Sequence, residues 1–240
     1  MRVLLYSGGM DSWLIRNIWK PDECVYVDMQ TRYSENEIKK LDKGVKIIHF
    51  PLGKYEREDA IIPLRNLYLV MRICNEYPDC DLEVCIGATA GDRVLDKSRT
   101  FTEQASRILT YLYSPQHWIP AGRTVDVVIP YKDFTKTELL KKYIDLGGDI
   151  DTAFNQSFSC YNPRNGEPCW KCKPCFRKFV AFYLNGYQFP KEVKKIALNY
   201  ILTEIYPQIA NGTYGRADEE KEILTVLEKE LGHDFSITDN

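Results

Sequence analysis

The chain has 240 residues, 44% of them hydrophobic, which is enough to bury a substantial core in one large domain or in one domain with an appendage, the latter being favoured. Its 32 Lys and Arg nearly cancel 34 Asp and Glu, leaving a net charge of −2. That balance excludes a global basic field, argues against nucleic acid or a membrane surface as partner, and fits a small neutral or acidic substrate. The N-terminal MRVLLYSGG has neither a long apolar run nor a cleavage site, and no later stretch is long enough to span a bilayer, so a cytoplasmic protein is expected. In that compartment the eight cysteines should be thiols or metal ligands rather than disulfides.

In chain order, Arg2 to Tyr6 reads as a buried strand. SGGMDS follows at Ser7 to Ser12 and opens a helix predicted over Asp11 to Trp19. At such a junction unpaired N–H groups and the positive end of the helix dipole converge on an anion, which suits phosphate. Gly8 and Gly9 leave the approach open, and Ser7 and Ser12 offer hydroxyl donors. A carboxylate beside polyphosphate is repulsive unless it caps the helix or holds magnesium, so Asp11 takes one of those two roles. The Walker loop is excluded, because the GxxxxGK pattern occurs nowhere in the chain.

Further strands are predicted at Cys24 to Asp28, Val45 to Phe50, Leu82 to Ala88 and Val125 to Pro130. Between and after them, helical spacing covers Ser34 to Asp42, Asp59 to Tyr77, Thr102 to Tyr113 and Thr135 to Leu146. This alternation predicts an α/β fold, a mainly parallel sheet covered by helices on both faces. Arg65 lies in a segment rich in apolar residues, where a guanidinium suits phosphate or carboxylate, the alternative being a helix-surface charge. Asp92 and Asp96 follow the fourth strand at its carboxyl end, where ligands collect in open parallel sheets; either could instead cap the helix near Thr102. Lys136 sits at a helix start, where a cation opposes the dipole unless an anion is near. It could equally be a solvated Lys in a capping box of Thr135 and Glu138.

The strand signal stops after Gly147 and Gly148, dividing the chain into a nucleotide-binding domain over 1–150 and a zinc-binding, C-terminal helical region over 151–240. Cys160, Cys169, Cys172 and Cys175 form a Cys-x8-Cys-x2-Cys-x2-Cys set whose natural occupant is tetrahedral Zn2+. Four thiolates leave no place for water, so the site should be structural, with an iron–sulfur cluster as the rival. Cys24, Cys74, Cys80 and Cys85 lack ligand spacing and read as packing residues. An amphipathic stretch over Phe176 to Leu184 follows, then helical patterns near Glu192 to Tyr206 and Asp218 to Leu231, separated by NGTYG at Asn211 to Gly215.

SGGMDS resembles the SGGxDS motif of the PP-loop ATP pyrophosphatases, which split ATP between the alpha and beta phosphates. Over Met1 to Gly186 the chain further resembles the 7-cyano-7-deazaguanine synthases within that superfamily. IPLRN at Ile62 to Asn66 is similar to the family's VPxRN, and IGATAGD at Ile86 to Asp92 to its IGVNAED. FTKTEL at Phe134 to Leu139 is similar to LSKAEI, SFSCY at Ser157 to Tyr161 to SWSCY, and CWKCKPCFRK at Cys169 to Lys178 to CGxCxSCxxR.

The resemblance implies a Rossmann-like sheet with a small zinc-bearing helical region, and the cofactors ATP, Mg2+ and Zn2+. It implies conversion of a deazapurine acid, 7-carboxy-7-deazaguanine, and ammonia to 7-cyano-7-deazaguanine through adenylated carboxylate and amide intermediates. Carried over by position, Asp11, Arg65 and Lys136 would be catalytic; Ser7, Gly8, Gly9, Asp11, Ser12 and Gly87 would bind the nucleotide; Asn66, Asp92 and Asp96 would bind the base. One carboxylate can accept both adjacent donors of a deazaguanine edge, which makes Asp92 and Asp96 the candidates there.

The chain departs from the family at VDMQTRY (Val27 to Tyr33), where the family has FDYGQRH, and at RVLDKSRTF (Arg93 to Phe101), shortened from YSGYPDCRPEF. Its tail after Pro190 is longer than the resemblance implies, and suits either a lid or an oligomer contact such as a homodimer. The competing readings are the same chemistry stopped at the 7-amido product, a tRNA-modifying thiolase or lysidine-type ligase served by the basic WKCKPCFRK, and a non-enzymatic zinc module for nucleic acid.

Overall fold

Near-continuous apolar runs in the central strands, buried on successive residues, dictate a sheet covered on both faces. In the computed structural model, which describes residues 1–59 and 61–232, the elements run β1 (Arg2–Leu5), α1 (Met10–Trp19), β2 (Glu23–Asp28), α2 (Ser34–Ile38), β3 (Lys46–His49), α3 (Arg65–Glu76), β4 (Leu82–Ile86), α4 (Arg99–Leu112) and β5 (Val125–Val128). Then come α5 (Lys136–Asp145), α6 (Ile150–Gln156), α7 (Lys173–Leu184), α8 (Lys191–Tyr200), α9 (Tyr206–Ala210) and α10 (Ala217–Leu231). All five strands are parallel, in the order β3-β2-β1-β4-β5. Val3, Val25, Val27, Val84 and Val127 pack in one hydrophobic cluster with Val70 and Ile73 of α3 and Ala105 and Leu109 of α4. Leu4, Cys24, Tyr26 and Cys85, the alternate strand residues, are also buried and face the opposite side. Right-handed crossovers put α1 and α2 on that second face, because they connect strands lying on the other side of β1.

Each predicted strand forms, but several helix bounds move for local reasons. The third helix is predicted from Asp59 and begins at Arg65. Pro63 disfavours helical geometry at Ile62, and Leu64 takes a left-handed conformation with φ 59°. Ala60, inside the predicted span, lies outside the described residues. The second helix ends at Ile38 instead of Asp42. Asp42 serves tertiary structure instead, accepting from Arg16 Nη1 at 2.6 Å and from the Tyr6 hydroxyl.

The chain separates into two compact units, one of Met1–Ala88 with Asp92–Lys132 and the other of Thr89–Gly91 with the chain from Asp133 onward. In the second unit α7 is buried nearly all round, with Phe176, Phe179 and Phe182 fully enclosed, and so is a core helix rather than an amphipathic surface one. Helix α6 has no apolar periodicity in IDTAFNQ; it is started by Asp149, whose carboxylate accepts from the Thr152 N–H at 2.7 Å. The pattern over Glu192 to Tyr206 resolves into α8, a π-helical turn at Ile201–Ile205, and α9. Among the described residues, no helix is long and apolar enough to cross a membrane.

Candidate active site and metal centre

Strand order reverses at β1, which lies between β2 and β4, so the crevice outside the carboxyl ends of β1 and β4 is the topological switch point of the sheet. SGGMDS leaves β1 at that position. Gly8 has φ +70°, a left-handed conformation that side chains rarely adopt, and Gly9 fills the cap position of α1 with extended geometry and no side-chain cap. The hydroxyls close the loop on itself. Ser7 N–H donates to Ser12 Oγ at 3.2 Å, Ser12 Oγ donates to the Gly9 carbonyl at 3.1 Å, and the two serine oxygens lie 3.2 Å apart. Gly9 holds the cap, so Asp11 sits within the first turn of α1 and is not its cap residue. Gly87 follows β4, and a Cβ there would make only ordinary contact with Ile15 at 3.8 Å.

Two of the predicted base-binding residues meet in the first unit. Asn66 is 2% exposed; its backbone N–H donates to Asp96 Oδ2 at 3.1 Å and its side-chain amide to the Asp96 carbonyl at 3.2 Å. Asp96 thus satisfies the start of α3, whose own cap residue Leu64 offers no side-chain acceptor. The fourth helix starts at Arg99 rather than near Thr102, and Ser98 caps it by accepting from Phe101 N–H at 3.1 Å. Asp92 lies beside two cations that local spacing does not single out: Lys97 Nζ approaches its carboxylate at 3.2 Å, and Lys132 Nζ donates to its carbonyl at 2.6 Å across 40 residues of chain. Burial holds the Glu37 carboxyl above its usual pKa against the lowering by the Tyr26 hydroxyl and, more weakly, by the charge of Arg65, which opens α3.

Lys136 belongs to the second unit as the first residue of α5. The capping box around it is complete: Thr135 N–H donates to Glu138 Oε2 at 2.8 Å, and Glu138 N–H to Thr135 Oγ1 at 3.1 Å. The local sequence TKTE therefore secures the helix start and leaves Lys136 on its first turn.

The four cysteines converge in the same unit, with sulfur atoms all within 4.8 Å of one another. Tetrahedral zinc at about 2.3 Å from each sulfur requires separations of about 3.8 Å, so the donor set fits. Cys172 caps α7 and Cys175 lies in its first turn, joining the loop to the helix. Hydrogen bonding from Cys175 pulls the Cys172 thiol down to about 5, while burial pushes Cys169 up to about 11. Four sulfurs this close hold one negative charge readily and the rest only with a cation. Trp170, between two ligands, has φ 54°, a strained value for a bulky residue. Its ring stacks on Phe154 at 5.9 Å and meets Phe189 edge-on at 5.6 Å. Lys178, 3% exposed, donates to the Phe154 carbonyl at 2.7 Å and also to that of Ser157, tying α7 to the segment before Cys160; burial pulls its pKa down to about 7. Cys24, Cys74 and Cys85 are buried and Cys80 is half-buried, as packing residues should be.

The profile of the family described as Queuosine biosynthesis protein QueC matches residues 45–186. The chain belongs to the QueC family. It is 25% identical over 218 residues to 7-cyano-7-deazaguanine synthase 1 of Colwellia psychrerythraea, an alignment covering 77% of this chain and 94% of that one. A 7-cyano-7-deazaguanine synthase of Hahella chejuensis is 26% identical over 220 residues, covering 76% and 88%. One from Sulfolobus acidocaldarius is 33% identical over 97 residues, covering 40% of this chain and 19% of that one. QueC proteins are PP-loop synthases, so ATP-dependent ligase activity in general goes with the family, and the four-cysteine cluster suits zinc.

Proposed function

We propose that this QueC family member converts 7-carboxy-7-deazaguanine and ammonia to 7-cyano-7-deazaguanine at the expense of two ATP. The reading is carried by the phosphate-type SGGMDS loop at the switch point of the sheet in a chain whose relatives bear that synthase name. A carboxylate oxygen attacks the alpha phosphate of ATP, and pyrophosphate leaves. Ammonia then attacks the acyl carbon and expels AMP, giving the amide. The amide oxygen attacks a second ATP, pyrophosphate leaves again, and loss of two protons with AMP leaves the nitrile.

In this scheme Ser7, Gly8, Gly9, Ser12 and Gly87 line the nucleotide, offering backbone N–H groups at a helix start. Asp11 would hold Mg2+, which when bound neutralises phosphate charge. Arg65 and Lys136 meet phosphate oxygens as charge accumulates on them. Asn66, Asp92 and Asp96 serve the base, with Asp96 acting mainly through its hold on Asn66 and Asp92 accepting from the deazaguanine edge. Lys97 and Lys132 beside Asp92 suit an acidic base, since they offset the repulsion between two carboxylates.

Incubating the protein with the acid, ATP, magnesium and ammonium should release AMP and pyrophosphate in a substrate-dependent way. Mass spectrometry should find a product lighter than the amide by one water. Absence of substrate-dependent pyrophosphate would overturn adenylation of this acid, and accumulation of the amide alone would overturn nitrile formation.

A further inference from the structure

Helix α10 lies beyond the family match, which ends at residue 186, yet two of its carboxylates reach segments that adjoin proposed site residues. Glu222 accepts from Thr135 Oγ1 at 2.5 Å and from Thr137 Oγ1 at 2.6 Å, the residues on either side of Lys136. One turn earlier, Glu219 is 6% exposed and accepts from Arg177 Nε at 3.0 Å, the Tyr214 hydroxyl at 2.8 Å and Arg216 Nη1 at 2.9 Å. A Cβ built on Gly91 would overlap Glu219 Oε1 and lie 2.6 Å from Arg216 Nη1. The missing side chain at Gly91 is therefore what lets this ion network close against the backbone that leads into Asp92. Those side-chain ends are long, but they are tied to one another and do not move aside cheaply. The two segments are joined as well, since Ala90 N–H donates to the Phe134 carbonyl at 2.9 Å.

Burying carboxylates is costly unless each oxygen finds donors: Glu222 finds its donors at Thr135 and Thr137, while Glu219 finds its at Arg177, Tyr214 and Arg216 and packs against Gly91. We infer that α10 is a positioning element of the active site, with Glu222 setting Lys136 through Thr135 and Thr137, and Glu219 and its ion network packed against Gly91. This rests on the reading of Lys136 as a phosphate contact and Asp92 as a base contact. It gives the long tail a task within its own chain: the tail braces two site segments.

The test compares full-length wild type with Glu222→Ala, Glu222→Gln and Val226→Ala. Val226 is a fully buried residue of α10 whose apolar side chain forms no hydrogen bond to either segment, so its truncation destabilises the helix while leaving both glutamates in place. Gln keeps an oxygen for one threonine and an amide donor for the other. Pyrophosphate release with the deazaguanine acid should fall about tenfold or more in kcat, or rise as much in KM for ATP, in Glu222→Ala, the scale on which small misplacements of a reacting group are felt. Glu222→Gln should recover most of that loss, and Val226→Ala should stay within about twofold of wild type despite a lower Tm, as expected for a site that is intact once folded. If Glu222→Ala behaves like Val226→Ala while wild type turns over, the brace is refuted and the adenylation reading stands. If wild type is inert with this acid, that reading fails, and hydrogen exchange decides the brace. Amides of Thr135 to Glu138 should then exchange faster in Glu222→Ala than in Val226→Ala, and equal rates would overturn it.

Discussion

Trp170 shows what a single residue negotiates at the metal loop. The family pattern CGxCxSCxxR has glycine at its position, and the left-handed φ of 54° explains why glycine is comfortable there. A tryptophan in that conformation gives up about 1–2 kcal/mol. It is offset by burial and by stacking between Phe154 and Phe189, and truncating a buried aromatic costs about 3–5 kcal/mol. Packing wins this comparison. Trp170→Gly should lower unfolding free energy by about 2 kcal/mol, the difference of those two effects, measurable by denaturant titration. Metal analysis should show unchanged zinc content, because all four thiols remain. A variant as stable as wild type would mean that the strain is as large as the packing lost. The sequence exposed the cysteine spacing but not this conformation, since nothing local distinguishes a strained tryptophan from an ordinary one.

At the scale of elements, α5 illustrates a helix start whose logic is local and whose use is not. The Thr135–Glu138 capping box was legible in TKTE and forms as expected. The bonds from Thr135 and Thr137 to Glu222 join residues more than 80 positions apart, and no spacing rule could reveal them. A cation at the first position of a helix opposes its dipole by about 0.3–1 kcal/mol. Lys136→Ala should therefore leave Tm unchanged or slightly raised while lowering the rate of pyrophosphate release by about 10²-fold, a size typical for loss of one charge-stabilising donor. Steady-state kinetics beside a melting curve would check both halves. Unchanged turnover would remove Lys136 from the site. Helix α6 makes the complementary point: with IDTAFNQ lacking apolar periodicity, only its Asp149 cap and the aromatic packing of Phe154 identify it.

For the molecule as a whole, α10 carries two carboxyls whose ionisation acts on stability with opposite sign. Burial raises the Glu219 carboxyl, but Arg177 and Arg216 outweigh burial and leave its pKa below the usual value. Its contribution is present above the unfolded pKa and lost as pH falls through the folded one. For Glu222, burial dominates over the two threonine hydrogen bonds and the pKa is raised. Its contribution is present below the unfolded pKa and lost as pH rises through the folded one, so at neutral pH its charge opposes folding. Glu222→Gln should accordingly raise Tm at pH 7.5, and the gain should shrink toward zero as pH falls through the raised carboxyl value toward pH 4.5. Melting curves of both proteins across that range test it; a gain independent of pH would show that ionisation is not its cause.

The sequence by itself determined the five parallel strands, the phosphate-type loop after the first of them, the cysteine quartet and the family resemblance. Each of these is written in short-range patterns: short apolar runs rich in Val, Ile and Leu, a glycine pair before a helix, fixed cysteine spacing. Only the tertiary structure decided where long-range partners fall. It paired Asp96 with the start of α3, brought Lys132 to Asp92, and set Glu219 and Glu222 against segments far earlier in the chain. The physical reason is that a buried polar group is satisfied by whatever donor the fold delivers, and the fold delivers donors without regard to sequence distance.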